Sequence, residues 1–156
     1  MYRHENIHEK YQLFLCKDVC LIYFSTAVKL LQEEELLSLL AHSRSQNSQV
    51  GITGALLYVK GNFVQVLEGD KQVVKDLYVC IAQDPRHTNV SLAINRPITQ
   101  RLFATWSMGY ETITLSELAE IQAIVQLNAG DQSVMNSADN AILRTLQVFY
   151  QGNHYN

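Results

Sequence analysis

One amide side chain stands in an otherwise apolar row near the middle of the chain. Between Phe63 and Leu67 every residue except Gln65 is apolar. Because successive side chains of a strand point to opposite faces, Phe63, Gln65 and Leu67 share one face of the predicted strand. A buried amide without hydrogen-bond partners is costly, and it carries both donors and acceptors. The pattern therefore indicates that a polar partner or a ligand meets Gln65.

Further side chains with chemical capability lie on other predicted elements and can face the same side of the sheet. They are a tyrosine, an asparagine, a tryptophan and a methionine. A hydroxyl, two amides and a thioether that converge between two helices would suit a planar ligand rich in heteroatoms. The members of this predicted site are Tyr23, Asn47, Gln65, Trp106 and Met108.

A short motif near the start of the chain matches the zinc-hydrolase pattern HExxH. It runs His4-Glu5-Asn6-Ile7-His8. Zinc chemistry would require both histidines on one helical face, a third ligand and a walled pocket. No helical pattern precedes this motif and no core supports it, so we interpret it as a solvated tail and predict no metal site.

Composition indicates one globular domain of ordinary charge. The 156 residues are 47% hydrophobic and 17% charged, with 12 basic and 15 acidic side chains. No basic cluster favours nucleic acid or an anionic membrane, and no apolar run reaches the length of a membrane span. Three cysteines without a CxxC pair are typical of a reduced protein, so we expect a cytoplasmic location.

Hydrophobic periodicity predicts the element order β-α-β-β-α-β-β. A Lys60-Gly61-Asn62 turn joins the central hairpin, and Asp70 caps the second helix. Right-handed connections place both crossover helices on one face, which makes an α+β, ferredoxin-like sheet. The predicted elements are a strand at 19–24, a helix from about 32 to 46, the hairpin at 51–69, a helix at 70–84 and strands at 89–98 and 103–110. We expect Ser45 to Gln49 to form a loop, and Trp106 and Met108 to share a face of the last strand.

Two more helices are predicted after the sheet. Thr114 and Glu117 form a capping box for the first of them. These helices are the expected cover for the second sheet face, or for a partner. Their apolar positions are Leu118, Ile121 and Val125 in the first and Ile142, Leu146 and Phe149 in the second.

The stretch from Leu21 to Tyr110 resembles the BLUF family, the flavin-binding sensors of blue light. The resemblance covers more than half of the chain and follows the order and spacing of the family. It is carried by Leu21-Ile22-Tyr23, Gly51-Ile52-Thr53-Gly54, the run from Phe63 to Gly69, Asp84-Pro85-Arg86-His87 and Trp106-Ser107-Met108. It implies a BLUF domain at residues 18–112, with an N-terminal extension at 1–17 and a C-terminal helical extension at 113–156.

This resemblance implies non-covalent FAD, with its ring held between the two crossover helices. Tyr23 would donate an electron and a proton, and Gln65 would bridge Tyr23 to the flavin ring edge. Trp106 and Met108 match the pair that changes position or hydrogen bonding during signalling. The implied cofactor-binding residues are Tyr23, Gln46, Asn47, Gln65, Arg86, His87 and Met108. Gln46 departs from the Asn or His of many relatives, and its longer amide would alter the contact with the ring.

The function expected from the resemblance is a blue-light photoreceptor rather than an enzyme. We find no glycine-rich phosphate loop, no paired carboxylates and no nucleophile with a base. The resemblance further implies a light-dependent protein partner and a homo-oligomer for signal output. The alternative is a flavin-free ferredoxin-like module for interaction or small-molecule sensing, which would be colourless after purification.

Overall fold

The computed structural model describes residues 17–127, which form a five-stranded sheet with three helices. The strand order is β4-β1-β3-β2-β5, and all neighbours are antiparallel except β2 and β5. This order is the predicted ferredoxin-like arrangement with β5 added at the edge. The strands are β1 (Asp18–Ala27), β2 (Thr53–Val59), β3 (Asn62–Asp70), β4 (His87–Pro97) and β5 (Gly109–Thr112), and the helices are α1 (Glu33–Val50), α2 (Lys71–Gln83) and α3 (Leu115–Leu127).

Strand β3 pairs with β2 through the central hairpin and with β1 on its other side. Lys60 and Gly61 have φ angles of 45° and 83°, as a two-residue turn with both central residues left-handed requires. In the β2–β3 ladder of this hairpin Gln65 lies opposite Leu56, and in the separate β1–β3 ladder it lies opposite Tyr23. The alternation predicted from sequence is thus confirmed, with Tyr23 and Gln65 side by side on one face.

The sheet is buried on both faces by helices. Helices α1 and α2 contribute Leu36, Leu40 and Val74 to the apolar cluster on the Tyr23 face. Helix α3 packs on the opposite face, where its apolar residues meet those of β1, β2 and β3. The prediction that both crossover helices share a face is confirmed, as is the cover supplied by the first C-terminal helix. The second predicted helix, around 142–149, and the motif at 4–8 lie outside the described residues.

Helix α1 is longer than predicted. It continues through the stretch from Ser45 to Gln49, which we expected to be a loop, and ends at Val50. Gly51 then adopts a left-handed φ of 71°, and its N–H donates to the Asn47 carbonyl, a common helix terminus. Asn47 is therefore in the last helical turn, with its side chain fixed by the helix.

The predicted caps of the other helices are present. The Asp70 carboxylate accepts from the N–H of Gln72 at 3.0 Å and from that of Val73 at 3.3 Å. Thr114 and Glu117 form the reciprocal capping box at the start of α3. No helix of the part described is long and apolar enough to cross a membrane.

The prediction of a strand over 103–110 is wrong for most of its length, because β5 begins only at Gly109. The buried carboxylate of Glu68 accepts from the N–H groups of Leu102 and Phe103, each at 2.8 Å. These bonds hold the backbone at residues 102–103 against the end of β3, and no regular ladder forms there. Strand alternation therefore does not apply to Trp106 and Met108.

Candidate functional site

A cavity of about 680 Å³ lies between α1, α2 and the face of the sheet that carries Tyr23. Its wall combines apolar side chains with amides, hydroxyls, a guanidinium and imidazoles. Most of the residues predicted from sequence meet there. Those on its wall are Tyr23, Gln46, Asn47, Gln65, Arg86, His87 and Met108.

A hydrogen-bonded chain of three buried side chains forms the floor of the cavity. The Tyr23 hydroxyl donates to Oε1 of Gln65. Nε2 of Gln65 donates in turn to the sulfur of Met108, at 3.4 Å. The buried amide of Gln65 is therefore satisfied, because both of its ends have hydrogen-bond partners within the core.

The environment of Tyr23 keeps its phenol neutral. The side chain is only 4% exposed, and this burial raises the pKa of Tyr23 well above its ordinary value, with smaller contributions from Tyr78 and Asp84. The Tyr78 ring packs against it with centroids 5.7 Å apart. Because the neutral phenol is the hydrogen-bond donor, the bond to Gln65 is kept throughout the physiological pH range.

The last turns of α1 bring two amides to the cavity. Asn47 is buried, and its Nδ2 donates to the carbonyl of Ser107 at 3.0 Å. An asparagine amide carries two donors and an acceptor oxygen, so this bond occupies one of the two donors. Gln46 also borders the cavity but is exposed, which leaves its amide free to move toward a ligand.

Arg86 and His87 line the cavity, and each is already bonded to another residue of the protein. The Arg86 guanidinium bonds the Asp84 carboxylate, with Nη2 and Oδ2 2.6 Å apart. This hydrogen bond lowers the pKa of Asp84 to about 2. The His87 ring nitrogen bonds the carbonyl of Ile81. A ligand phosphate would therefore meet Arg86 beside a carboxylate rather than alone.

Ser25 is a residue of this wall that the sequence reasoning did not select. Its hydroxyl is the one buried side-chain polar atom without a hydrogen-bond partner among residues 17–127. It follows Tyr23 by two positions in β1 and so points to the same face, where it borders the cavity. An orphaned hydroxyl at that place fits a ligand with polar atoms, such as a flavin. The sequence signal for Ser25 is its place two residues after Tyr23, which puts both side chains on the same face of a strand.

Trp106 is not brought to the cavity. Its ring packs against Phe103, with centroids 5.4 Å apart, beside the apolar cluster that α3 covers. Met108, by contrast, belongs to the cluster on the cavity side. The expectation that Trp106 and Met108 share a face is wrong, because the irregular backbone between them lets the two side chains point to opposite sides.

Comparison with known proteins points to one family. The family model described as sensors of blue-light using FAD matches residues 19–109. Photoactivated adenylate cyclase subunit beta of Euglena longa is 42% identical over 93 residues, which are 59% of this chain and 11% of that protein. Photoactivated adenylate cyclase subunit alpha of Euglena gracilis is 39% identical over 87 residues, 56% of this chain and 8% of that protein. The chain thus spans about a tenth of the length of these cyclase subunits.

Solved structures give the same result over a longer stretch. The dark-state structure of BlrB, a BLUF protein, has a TM-score of 0.64 at 31% identity and covers 85% of this chain and 97% of its own. A structure of Klebsiella pneumoniae BlrP1 with FMN and cyclic diGMP has a TM-score of 0.62 at 26% identity, covering 86% and 34%. The family model covers more than half of the 156 residues, including the strands and helices around the cavity. This protein therefore belongs to the BLUF family, the sensors of blue light that use FAD.

Proposed function

We propose that this protein is a blue-light photoreceptor that binds FAD in the cavity between α1 and α2. We further propose that it signals through rearranged hydrogen bonds at Tyr23 and Gln65. The BLUF family match makes residues 19–109 a flavin-using sensor module. The observation that carries the finer proposal is the chain of bonds from Tyr23 through Gln65 to Met108 on the cavity floor.

The cavity wall supplies the groups that would hold the cofactor. The amides of Gln46, Asn47 and Gln65 would bond the edge of the flavin ring, and the Ser25 hydroxyl supplies a further donor from the floor. Arg86 and His87 would meet the distal part of the molecule. FAD, when bound, absorbs blue light and accepts an electron. Chromatography of the cofactor released by denaturation would distinguish FAD from FMN.

The residues of the floor can pass a proton without a change in packing. A tyrosine that gives up an electron becomes strongly acidic, and the Tyr23 hydroxyl already donates to Oε1 of Gln65. A proton at this oxygen favours rotation or tautomerisation of the amide, since its two ends are nearly alike in shape. The hydrogen bond that Gln65 Nε2 donates to the Met108 sulfur would then change. The local event thereby reaches the segment that leads into β5.

Output from this segment would pass to other polypeptides. The segment ends at β5, and β5 leads into α3 on the sheet face opposite the cavity. We propose that the chain forms a homo-oligomer in the cytoplasm and binds a protein partner in a light-dependent way. Light scattering in the dark and under blue light tests the first part. A monomer at micromolar concentration in both conditions would contradict the proposed self-association.

Replacing Gln65 by Leu tests the proposed mechanism. The variant Gln65→Leu is expected to retain the flavin, because the other wall residues remain, and to lose the light-induced spectral shift. Gln72→Leu is a matched control, since Gln72 lies on the exposed side of α2 and bonds Asp76. The control should keep the full shift. A normal shift in Gln65→Leu would refute the role of this amide.

A further inference from the structure

An exposed arginine on α1 holds the backbone of the methionine at the cavity floor. Nε of Arg44 donates to the carbonyl of Met108 at 2.8 Å, across 64 positions of the chain. Arg44 is exposed and does not line the cavity. The contact therefore connects the solvent-exposed side of α1 with a residue whose side chain lies in the core.

The same methionine is held from two directions. Its sulfur accepts from Gln65 inside the core, and its carbonyl accepts from Arg44 outside it. Asn47, three positions after Arg44 on the same helical face, donates to the preceding carbonyl, that of Ser107. Two consecutive carbonyls are thus fixed by side chains of α1 rather than by a sheet ladder.

The backbone on either side of Met108 is attached to β2. The Trp106 carbonyl accepts from the N–H of Gly54 at 3.0 Å, and β5 pairs with β2 from Gly109 onward. Between these two attachments, side chains of α1 and Gln65 hold Ser107 and Met108. The Arg44 bond is charge-assisted, and such bonds are stronger than those between neutral groups.

We propose that Arg44 is a positioning residue that holds Met108 in the dark-state arrangement and thereby shortens the lifetime of the lit state. This role rests on the proposed photoreceptor function. When the Gln65 amide changes its bond to the Met108 sulfur, the carbonyl bond to Arg44 favours return to the original position. Loss of Arg44 removes this preference while leaving the cavity wall intact.

Arg44→Ala tests the role, with Arg44→Lys as the conservative variant and Lys75→Ala as the control. Lys75→Ala removes one exposed positive charge from α2. We expect Arg44→Ala to bind flavin normally and to recover in the dark roughly two- to tenfold more slowly, the range for one net hydrogen bond. Arg44→Lys should recover part of the wild-type rate, and Lys75→Ala all of it.

A second readout follows the contact itself and does not require photochemistry. Met108-Gly109 is the only Met-Gly pair in the sequence, so protein labelled with ¹³C-carbonyl methionine and ¹⁵N-glycine gives one Met-Gly correlation by NMR. We expect this carbonyl resonance to move in Arg44→Ala, to return toward its position in Arg44→Lys and to stay in Lys75→Ala. These spectra are recorded with and without added FAD.

The outcomes separate this proposal from the proposed function. An unmoved carbonyl resonance in Arg44→Ala would overturn the contact, whatever the flavin does. A moved resonance with recovery unchanged would overturn the effect on lifetime while leaving the photoreceptor function in place. A wild-type protein that takes up no flavin would overturn both the photoreceptor function and the lifetime role.

Discussion

The hydrogen bond between Tyr23 and Gln65 should appear as a strong non-additivity in stability. We consider Tyr23→Phe, Gln65→Leu and the double variant. Tyr23 and Gln65 are 4% and 8% exposed, so water reaches neither group well. Tyr23→Phe leaves the Gln65 oxygen without its donor, and Gln65→Leu leaves the Tyr23 hydroxyl without its acceptor.

The structure sets the magnitude of each step. A buried polar group that loses its partner costs about 1–3 kcal/mol in the free energy of unfolding, whereas replacing both partners by apolar groups of similar shape is nearly neutral. Each single variant should therefore be destabilised by that amount, and the double variant should be no less stable than Tyr23→Phe alone. The coupling energy of the cycle is then about 1–3 kcal/mol.

Urea denaturation followed by circular dichroism measures this cycle. With an m value of about 2 kcal/mol/M, a loss of about 2 kcal/mol lowers the midpoint by about 1 M. Both flavin-free and flavin-saturated protein are measured, because a bound ligand adds to apparent stability. The control is a second cycle with Tyr78→Phe and Gln65→Leu. The Tyr78 ring contacts Tyr23, but the hydrogen bond to Gln65 comes from the Tyr23 hydroxyl. Additive effects in the Tyr23 cycle would show that Tyr23 and Gln65 do not share a stabilising buried hydrogen bond.

Two further predictions concern the backbone at β2 and the titration of Tyr23. A Cβ at Gly54 would lie 1.9 Å from the Val66 carbonyl oxygen, whereas one at Gly51 meets nothing within 4 Å. Gly54→Ala should therefore lower the urea midpoint much more than Gly51→Ala, and equal midpoints would contradict the packing described. Burial raises the pKa of Tyr23 above 10.0, so its contribution to stability is complete below that pH and is lost as pH rises further. Above about pH 10 the unfolding free energy should fall more steeply in wild type than in Tyr23→Phe, by about 1.4 kcal/mol per pH unit. Identical slopes in the two proteins would show that the pKa of Tyr23 is not raised by folding.

The floor of the site was predictable because it lies on regular strands. Alternation along each strand is a local pattern, so the sequence itself shows which residues share a face with Tyr23 in β1 and with Gln65 in β3. The pairing of Tyr23 with Gln65 joins β1 to β3 across 42 positions and is a property of the assembled sheet. The same alternation places Ser25 on the Tyr23 face as a third polar group.

The segment that carries Trp106 and Met108 was not predictable by the same reasoning. Its path depends on the Glu68 carboxylate, which lies 34 and 35 positions before the N–H groups it accepts from. Long-range side-chain bonds of this kind leave no periodic pattern in the segment itself. An alternating apolar pattern at 103–110 therefore predicted a strand where the backbone is irregular.

The end of α1 shows a different cause of error. The polar stretch from Ser45 to Gln49 has the composition of a loop. It is nevertheless helical, and its polar side chains are exposed to solvent except for that of Asn47. Gly51, left-handed at the helix terminus, is the sequence signal that marks the true end. With that boundary, Asn47 and Arg44 fall on one helical face toward residues 107 and 108.

The visible absorption spectrum of the purified protein, in the dark and after blue light, is the most direct test of flavin binding and of the light response. We expect flavin bands with a small red shift after illumination that reverses in the dark. Flavin bands without a shift would contradict the roles given to Tyr23 and Gln65 while leaving the cofactor. No visible bands, even after FAD is added, would contradict the photoreceptor function itself.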